Sequence, residues 1–177
     1  MSAQNAPEMP APSEFLVAVA DRLPRGLVLD VAMGEGRNAL FLASRASSVV
    51  GIDLSMASLL KARRAAASVG SVVHAIQADL EQYPLPAARF DVVMNFRYLQ
   101  RSLVPSLRRA LRPGGMVIFE TFLVDQLQLG HPRNPAFVLE HNELLSLFSG
   151  LRVLFYEEGR FELRSGPVYL ARLLAQR

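Results

Sequence analysis

The run Val28-Leu29-Asp30-Val31-Ala32-Met33-Gly34-Glu35-Gly36-Arg37-Asn38-Ala39-Leu40 constrains this chain more than any other part of it. An apolar stretch ends at Ala32, a turn with two glycines follows, and a helix opens near Arg37. Glycine lets the backbone bend tightly and leaves no Cβ between the main chain and an approaching molecule. Strand, glycine turn and helix in that order predict a βα unit from Leu27 to Ala46, part of an open α/β sheet. In such sheets ligands bind in the crevice beyond the carboxyl ends of the strands. A loop with two glycines, taken alone, does not say which ligand.

The rest of the chain repeats this rhythm. Short runs at Leu27–Ala32, Val49–Asp53, Val72–Ala78, Phe90–Asn95 and Met116–Thr121 are apolar on both faces, as strands covered by helices on both sides must be. Between them, Met56, Leu59 and Leu60 share one helical face; Leu99, Leu103, Leu107, Ala110 and Leu111 share another, with Arg101, Arg108, Arg109 and Arg112 opposite. Pro105 places the start of that second helix near Val104. Upstream, Ser13 caps a helix from Glu14 to Leu23, stopped by Pro24 and Gly26. The order βαβαβ predicts a doubly wound, mostly parallel α/β sheet with helices on both faces. Its end departs from the pattern. A helix from Asn142 to Phe148 leads to runs at Arg152–Glu157 and Val168–Leu174, joined by a long connection containing Gly159 and Ser165-Gly166-Pro167. These two form an antiparallel pair at one edge, the sixth and seventh strands. Residues 1–12, rich in Ala and Pro, read as a flexible tail, and residues 13–177 as a single domain.

Composition narrows the partners. Without cysteine there is no disulfide, thiolate nucleophile or Cys-ligated zinc. No apolar run approaches the ~18 residues that span a bilayer, and the first dozen residues lack the order of a secretory signal. The cytoplasm is the expected compartment, with no membrane partner. The formal charge of +3 is spread along the chain apart from Arg108, Arg109 and Arg112, so nucleic acid is not indicated. No three side chains show metal-ligand spacing, and no metal is expected.

The ligand is narrowed by what the loop lacks. Asp53, ending the second strand, falls 19 residues after Gly34, the distance at which an acid accepts both hydroxyls of a ribose. The competing reading makes Asp53 the cap of the helix that begins near Ser55. No Gly-Lys-Ser/Thr ending exists for a phosphate-cradling loop, and Ala39 stands where a dinucleotide fingerprint wants its third glycine. Glu35 at the helix entrance repels a pyrophosphate. S-adenosylmethionine has no phosphate and carries positive charge on its amino group and sulfonium, so Asp30 and Glu35 suit it better than they suit NAD.

These residues resemble the class I, Rossmann-like S-adenosylmethionine-dependent methyltransferases, from Leu27 to about Leu174. Val28-Leu29-Asp30-x-x-x-Gly34-x-Gly36 is similar to their first motif, with Ala32 where the commonest pattern has its first glycine. Asp53, with Leu54 beside it, matches the ribose-binding position. Ala78-Asp79-Leu80 resembles the turn where the Asp meets the adenine amino group and a following N–H meets the ring. Phe90-Asp91-Val92-Val93 resembles the fourth strand, and Arg112-Pro113-Gly114-Gly115 the turn that introduces the fifth. More narrowly, Gly34-Glu35-Gly36-Arg37-Asn38, Tyr98-Leu99-Gln100-Arg101, Phe119-Glu120-Thr121-Phe122 and Gly130-His131-Pro132-Arg133-Asn134-Pro135 resemble the small, stand-alone bacterial group that includes tellurite-resistance-type methyltransferases. The resemblance implies S-adenosylmethionine as cofactor, released as S-adenosylhomocysteine. It also implies a cofactor site at Asp30, Ala32, Gly34, Gly36, Arg37, Asn38, Asp53, Leu54, Asp79, Leu80 and Asn95.

Methyl transfer from a sulfonium is an in-line displacement on an activated donor, so alignment and exclusion of water are the protein's main tasks. A base is needed only where the acceptor must lose a proton. Acceptor-side candidates follow strands four and five: Asn95-Phe96-Arg97-Tyr98 and Glu120-Thr121-Phe122. Asn95 either bonds the donor or acceptor, or caps the next helix. Its segment lacks both prolines of the Asn-Pro-Pro-Tyr pattern of amino-group methylating enzymes. Glu120 binds a cationic acceptor, serves as a base if burial raises its pKa, or lies at the surface. Arg97 and Arg101 either attract an anionic acceptor or are solvated helix-face charges. Leu123 to His141 is long for a connection. Gly130, Pro132, Asn134 and Pro135 give it defined turns, and Phe122, Phe137 and Leu139 are placed to cover an apolar pocket. His131 there is an acceptor-binding residue or base, or merely exposed; His74 packs or hydrogen-bonds on strand three, and His141 belongs to a helix start.

Three functions fit. One is a methyltransferase acting on a small-molecule acceptor. A second is an RNA or protein methyltransferase, which requires a docking surface that no appended domain supplies. A third is a non-catalytic S-adenosylmethionine-binding module, to which Ala32 lends some weight.

Overall fold

Seven strands form one sheet, and the computed structural model describes residues 11–45 and 47–177 of the chain. Residues 1–10 of the expected tail, and Ala46 at the end of the glycine-loop unit, lie outside the described residues. The strands are β1 (Leu27–Val31), β2 (Ser48–Asp53), β3 (Val73–Gln77), β4 (Phe90–Phe96), β5 (Leu111–Phe122), β6 (Arg152–Leu163) and β7 (Gly166–Gln176). Their spatial order is β3-β2-β1-β4-β5-β7-β6. The first five are parallel, whereas β7 runs antiparallel to both β5 and β6. The order in which strands are added reverses between β1 and β4, outward to β3 on one side and to β5 on the other, which opens a crevice at their carboxyl ends.

Alternation along the strands builds two cores. Val92, Met94 and Phe96 of β4, with Val28 and Ile118, face α1 (Glu14–Val19), α2 (Arg37–Ala43) and α3 (Met56–Ser68). Val93, with Leu29, Val31, Val117, Phe119 and Leu173, faces α4 (Val104–Ala110) and α5 (Glu143–Leu147). The Phe119 and Phe148 rings, 5.4 Å apart, tie the end of α5 to the sheet. Truncating either to alanine is expected to cost about 3–5 kcal/mol. The same alternation puts Asp30, Glu120 and Arg172 on the α1–α3 face. At the opposite end of the sheet Asp91 clasps β1 and β5, accepting from Leu27 N–H at 2.7 Å and pairing with Arg112 at 3.1 Å.

Several local expectations need correction. Leu59 of α3 is buried with Ala62 and Ala66, but Met56 and Leu60 are exposed. The buried stripe is centred on the alanines, because α3 approaches the glycine loop too closely for larger side chains. β5 begins at Leu111 rather than Met116, so Arg112–Gly115 is an irregularity within the strand, opposite Phe90–Val92. The connection expected between β6 and β7 is mostly ladder: only Arg164 and Ser165 turn the chain. Gly159, at φ +138°, stays paired with Leu170, since a glycine in a projecting two-stranded arm weakens the ladder without ending it. Ser13 sits at the start of α1, yet its hydroxyl makes no cap and turns to Glu120 instead. His74 is exposed on β3, the edge strand, where one flank lacks a partner strand. Among the described residues no helix is long and apolar enough to cross a membrane.

Candidate functional site

The turn after β1 uses backbone conformations that few side chains tolerate. Ala32, Gly34 and Gly36 have φ of +52°, +58° and +82°. Ala32 thus adopts at a cost the left-handed conformation its glycine counterpart takes freely. A Cβ on Gly36 would stand 2.8 Å from Ala62 Cβ, so this position answers both to the turn and to the contact with α3. A Cβ on Gly34 would meet nothing within 4 Å, leaving that stretch of main chain open to a ligand.

Asp53, ending β2, braces the turn. Its Oδ2 accepts the Gly34 N–H at 2.7 Å and its Oδ1 accepts the Ser55 N–H at 2.8 Å. The cap of α3 is the Ser55 hydroxyl, which accepts the Ser58 N–H at 3.2 Å, and not Asp53. A carboxylate has about four acceptor directions, so Asp53 keeps capacity for further donors.

Asp30, Ala32, Gly34, Asn38, Phe96 and Arg97 help line a cavity of about 290 Å³ beside this turn. Asp30 is fully buried, and burial, with the Asp53 charge adding to it, pushes its carboxyl up to about 8. Arg37 opposes that rise without cancelling it. Glu35 contributes less than its position suggests, because Lys61 holds it at 2.6 Å in an exposed pair. Asn38 is committed as well: its side-chain oxygen accepts the Ser13 N–H at 2.9 Å, tying α2 to the entry of α1. Asp79 organises the turn after β3, accepting from Glu81 N–H at 2.9 Å and Gln82 Nε2 at 3.0 Å. The Leu80 side chain is packed in the α4-side core, and Leu54 is 68% exposed.

The acceptor-side candidates divide. Arg97, in the left-handed region at φ +62°, donates its N–H to the Glu120 carbonyl at 2.8 Å. Its guanidinium lies 3.4 Å from the Glu120 carboxylate and 4.8 Å above the Phe122 ring. Glu120 is neither a surface carboxylate nor free to serve as a base. It is 1% exposed, and its oxygens are engaged by Arg97, by Arg172 Nε at 2.8 Å and by the Ser13 hydroxyl at 3.3 Å. Tyr98 lies on the side of Glu81, Asp79 and Asp53. Its hydroxyl, bonded to Gln100, is held above the usual tyrosine range by burial and by the charges of Glu81, Asp79 and Asp53. Asn95 is buried, and its amide donates to the Tyr98 carbonyl at 2.7 Å, which shapes the turn after β4.

Two acceptor-side candidates, Arg101 and His131, lie apart from the cavity lining. Arg101 is a strut, bound to Glu143 at 2.5 and 2.9 Å and to the Ala136 and Val138 carbonyls. His131 is exposed and lines neither cavity; Gln126 holds only its carbonyl, at 2.9 Å. Of the residues expected to cover a pocket, Leu139 is in the core and Phe137 is 54% exposed; only Phe122 lines one. His141 precedes α5, between Asp125 at 2.9 Å and Glu158 at 3.2 Å. Arg172 and Gln126 were not singled out from the sequence. Their importance comes from the β5–β7 register and from Gln126 bridging His131 and Tyr169, which no local pattern signals.

A second cavity, of about 700 Å³, adjoins the first. Arg37 and Arg97 line both. Its wall also includes Glu14, Val17, Glu120, Phe122 and the hairpin tip around Leu163 to Val168. Ala11 and Pro12, expected in the tail, also line it, and the Ala11 carbonyl accepts from Arg37 at 3.3 Å.

A sheet of this order with a glycine turn at its switch point and an acid ending β2 defines a Rossmann-like nucleoside-binding fold. Residues 28–115 match the methyltransferase domain family. The chain is 36% identical over 118 residues to a malonyl-[acyl-carrier protein] O-methyltransferase of Enterobacter lignolyticus, covering 62% of this chain and 45% of the relative. It is 30% identical over 122 residues to a ubiquinone biosynthesis O-methyltransferase of Histophilus somni, covering 63% and 51%. The matched regions thus span about half the length of these relatives. Among solved structures, TehB from Haemophilus influenzae superimposes with a TM-score of 0.80 at 20% identity, over 92% of this chain and 61% of that one. The chain belongs to the class I S-adenosylmethionine-dependent methyltransferase family, whose cofactor is S-adenosylmethionine.

Proposed function

We propose that this chain transfers the methyl group of S-adenosylmethionine to a small-molecule acceptor by in-line displacement. The observation that carries the reading is Asp30: a fully buried acid beside an open glycine turn, its carboxyl pushed up to about 8 by burial and by the Asp53 charge, so that a further cation beside it would be favoured. A ligand bearing an ammonium and a sulfonium supplies that cation, and one lacking phosphates has no quarrel with Asp53. When bound, S-adenosylmethionine supplies an electrophilic methyl on a positively charged sulfur. Asp30 would hold positive charge, the main chain at Ala32, Gly34 and Gly36 would face the ligand, and Asp53 would take the ribose hydroxyls on its remaining acceptor directions. Asp79 and the backbone after it, with Leu54 and Leu80, would border the adenine, and Asn95 would hold the turn above it.

The chain's own contribution to the reaction is positioning. Ser13, Glu120, Arg97 and Arg172 form a buried network that fixes the wall between the two cavities. α1 and the β6–β7 hairpin cover it, which keeps water from the reacting atoms. The two relatives are named as a malonyl-[acyl-carrier protein] O-methyltransferase and an O-methyltransferase of ubiquinone biosynthesis, which supports a low-molecular-weight or carrier-linked acceptor here. Titration calorimetry with S-adenosylmethionine and S-adenosylhomocysteine tests the reading: saturable binding of both supports it, and absence of binding removes it.

A further inference from the structure

The second cavity is walled by more positive charge than its own carboxylates can balance. Glu120 is one buried carboxylate shared by two guanidiniums, those of Arg97 and Arg172. Arg37, on the same wall, has no carboxylate within ion-pair distance among the described residues; its guanidinium reaches only the Ala11 carbonyl. Arg97 is held below the ordinary arginine range first by burial, with the charges of Arg37 and Arg172 acting in the same direction against Glu120. Arg164, at the hairpin tip, adds a further, exposed cation, and Glu14 an acid. A half-buried guanidinium without a full counter-charge favours an anion over a neutral or cationic ligand.

The rest of the lining is apolar. Val17, Phe122, Leu163, Pro167 and Val168 face the same space. The cover is anchored to α1 at two points: the Arg164 N–H reaches Glu14 at 3.4 Å, and the Phe15 and Phe155 rings lie 5.5 Å apart. A chamber of about 700 Å³ with a cationic wall and an apolar body suits an amphipathic molecule with one anionic head.

Resting on the methyltransferase reading above, we propose that this chamber is the acceptor subsite and that its acceptor is an organic carboxylate. The head group binds Arg97 and Arg37 at the boundary between the cavities, and the apolar body lies beneath the Leu163–Val168 tip. Because Arg37 and Arg97 line the cofactor-side cavity too, the head is the part of the acceptor nearest the donor. One carboxylate oxygen forms a bond to the methyl carbon while the carbon–sulfur bond breaks and its electron pair stays on sulfur. The products are a methyl ester and neutral S-adenosylhomocysteine, and no proton moves. This agrees with a chamber whose buried acid, Glu120, is locked between guanidiniums and unavailable as a base.

The experiment is titration calorimetry on the full chain saturated with S-adenosylhomocysteine, using octanoate, octanamide and octylamine as matched probes. Octanoate is expected to bind at least about tenfold more tightly than octanamide, with octylamine weakest. Arg97→Gln and Arg37→Gln are each expected to reduce the octanoate-to-octanamide ratio to within about threefold, and Arg97→Lys to retain most of it. Arg37 is half-buried on α2, so its variant carries the test should Arg97→Gln fail to fold. Equal binding of octanoate and octanamide, or preference for octylamine, overturns the proposal while leaving the methyltransferase reading intact. Failure of S-adenosylhomocysteine itself to bind removes that reading and this proposal with it.

Discussion

Glu120 and Arg172 occupy the same rung of the β5–β7 ladder, and their side chains meet at 2.8 Å with both largely withdrawn from water. Arg172 also stacks 3.9 Å over the Phe161 ring, so an arm of the hairpin is tied to the strand end that carries Glu120. The ion pair therefore links the cover of the second cavity to its floor.

Removing one partner from this network leaves buried charge uncompensated. Glu120→Gln is expected to cost about 3 kcal/mol. That corresponds to a fall in Tm of roughly 6–12 °C for a chain of this size. Thermal unfolding followed by circular dichroism checks it, and a Tm within about 2 °C of the parent would contradict the burial of the network. Lys61→Ala breaks only the exposed pair with Glu35 and is expected to cost less than about 1 kcal/mol, diminishing further in high salt.

Asp30 sets a pH dependence whose sign follows from its raised pKa. Below its ordinary value of 3.8, folded and unfolded chains both keep the proton. As pH rises toward about 8 the unfolded chain has lost it while the folded chain still holds it, so Asp30 destabilises the ligand-free fold increasingly across that window. Tm measured from pH 5 to 8.5, on a roughly half-unit grid, should therefore fall more steeply for the parent than for Asp30→Asn. A cationic ligand favours the ionised carboxylate, so affinity for S-adenosylmethionine should rise with pH over the same range and flatten in Asp30→Asn. Parallel curves for the two proteins would show that Asp30 is not buried neutral.

Asp53→Ala removes both the brace on Gly34 and the acceptors proposed for the ribose hydroxyls. Two charge-assisted hydrogen bonds are worth roughly 3 kcal/mol together, so S-adenosylhomocysteine should bind about 10²-fold more weakly. Unchanged affinity in calorimetry would place the ribose elsewhere.

Ala32→Gly should be mildly stabilising. The left-handed conformation costs a non-glycine residue about 1 kcal/mol, against roughly 0.5 kcal/mol of extra backbone entropy for glycine. A rise in Tm of about 1–2 °C is expected. A clear fall in Tm would mean that Ala32 is not strained.

The element order, the glycine turn, and the acids at Asp30 and Asp53 were all legible in the sequence. Each rests on a local signal: apolar runs of strand length, glycines placed for a tight turn, and acids at or near strand ends. The hairpin was legible as a strand pair but not in its length, because Gly159 looks like a breaker and only pairing with Leu170 shows that it is not. Arg101 and Arg97 look alike in sequence, four residues apart and both arginine. Only the packed chain makes one a strut on Glu143 and turns the other, through its left-handed backbone, onto Glu120. Arg172 carried no signal at all, since its meaning depends on a register set more than 50 residues away. Local chemistry thus determined the fold and the glycine turn with its two acids. Long-range register and burial decided which charges face the second cavity, because a side chain's charge acts only where folding has removed the water around it.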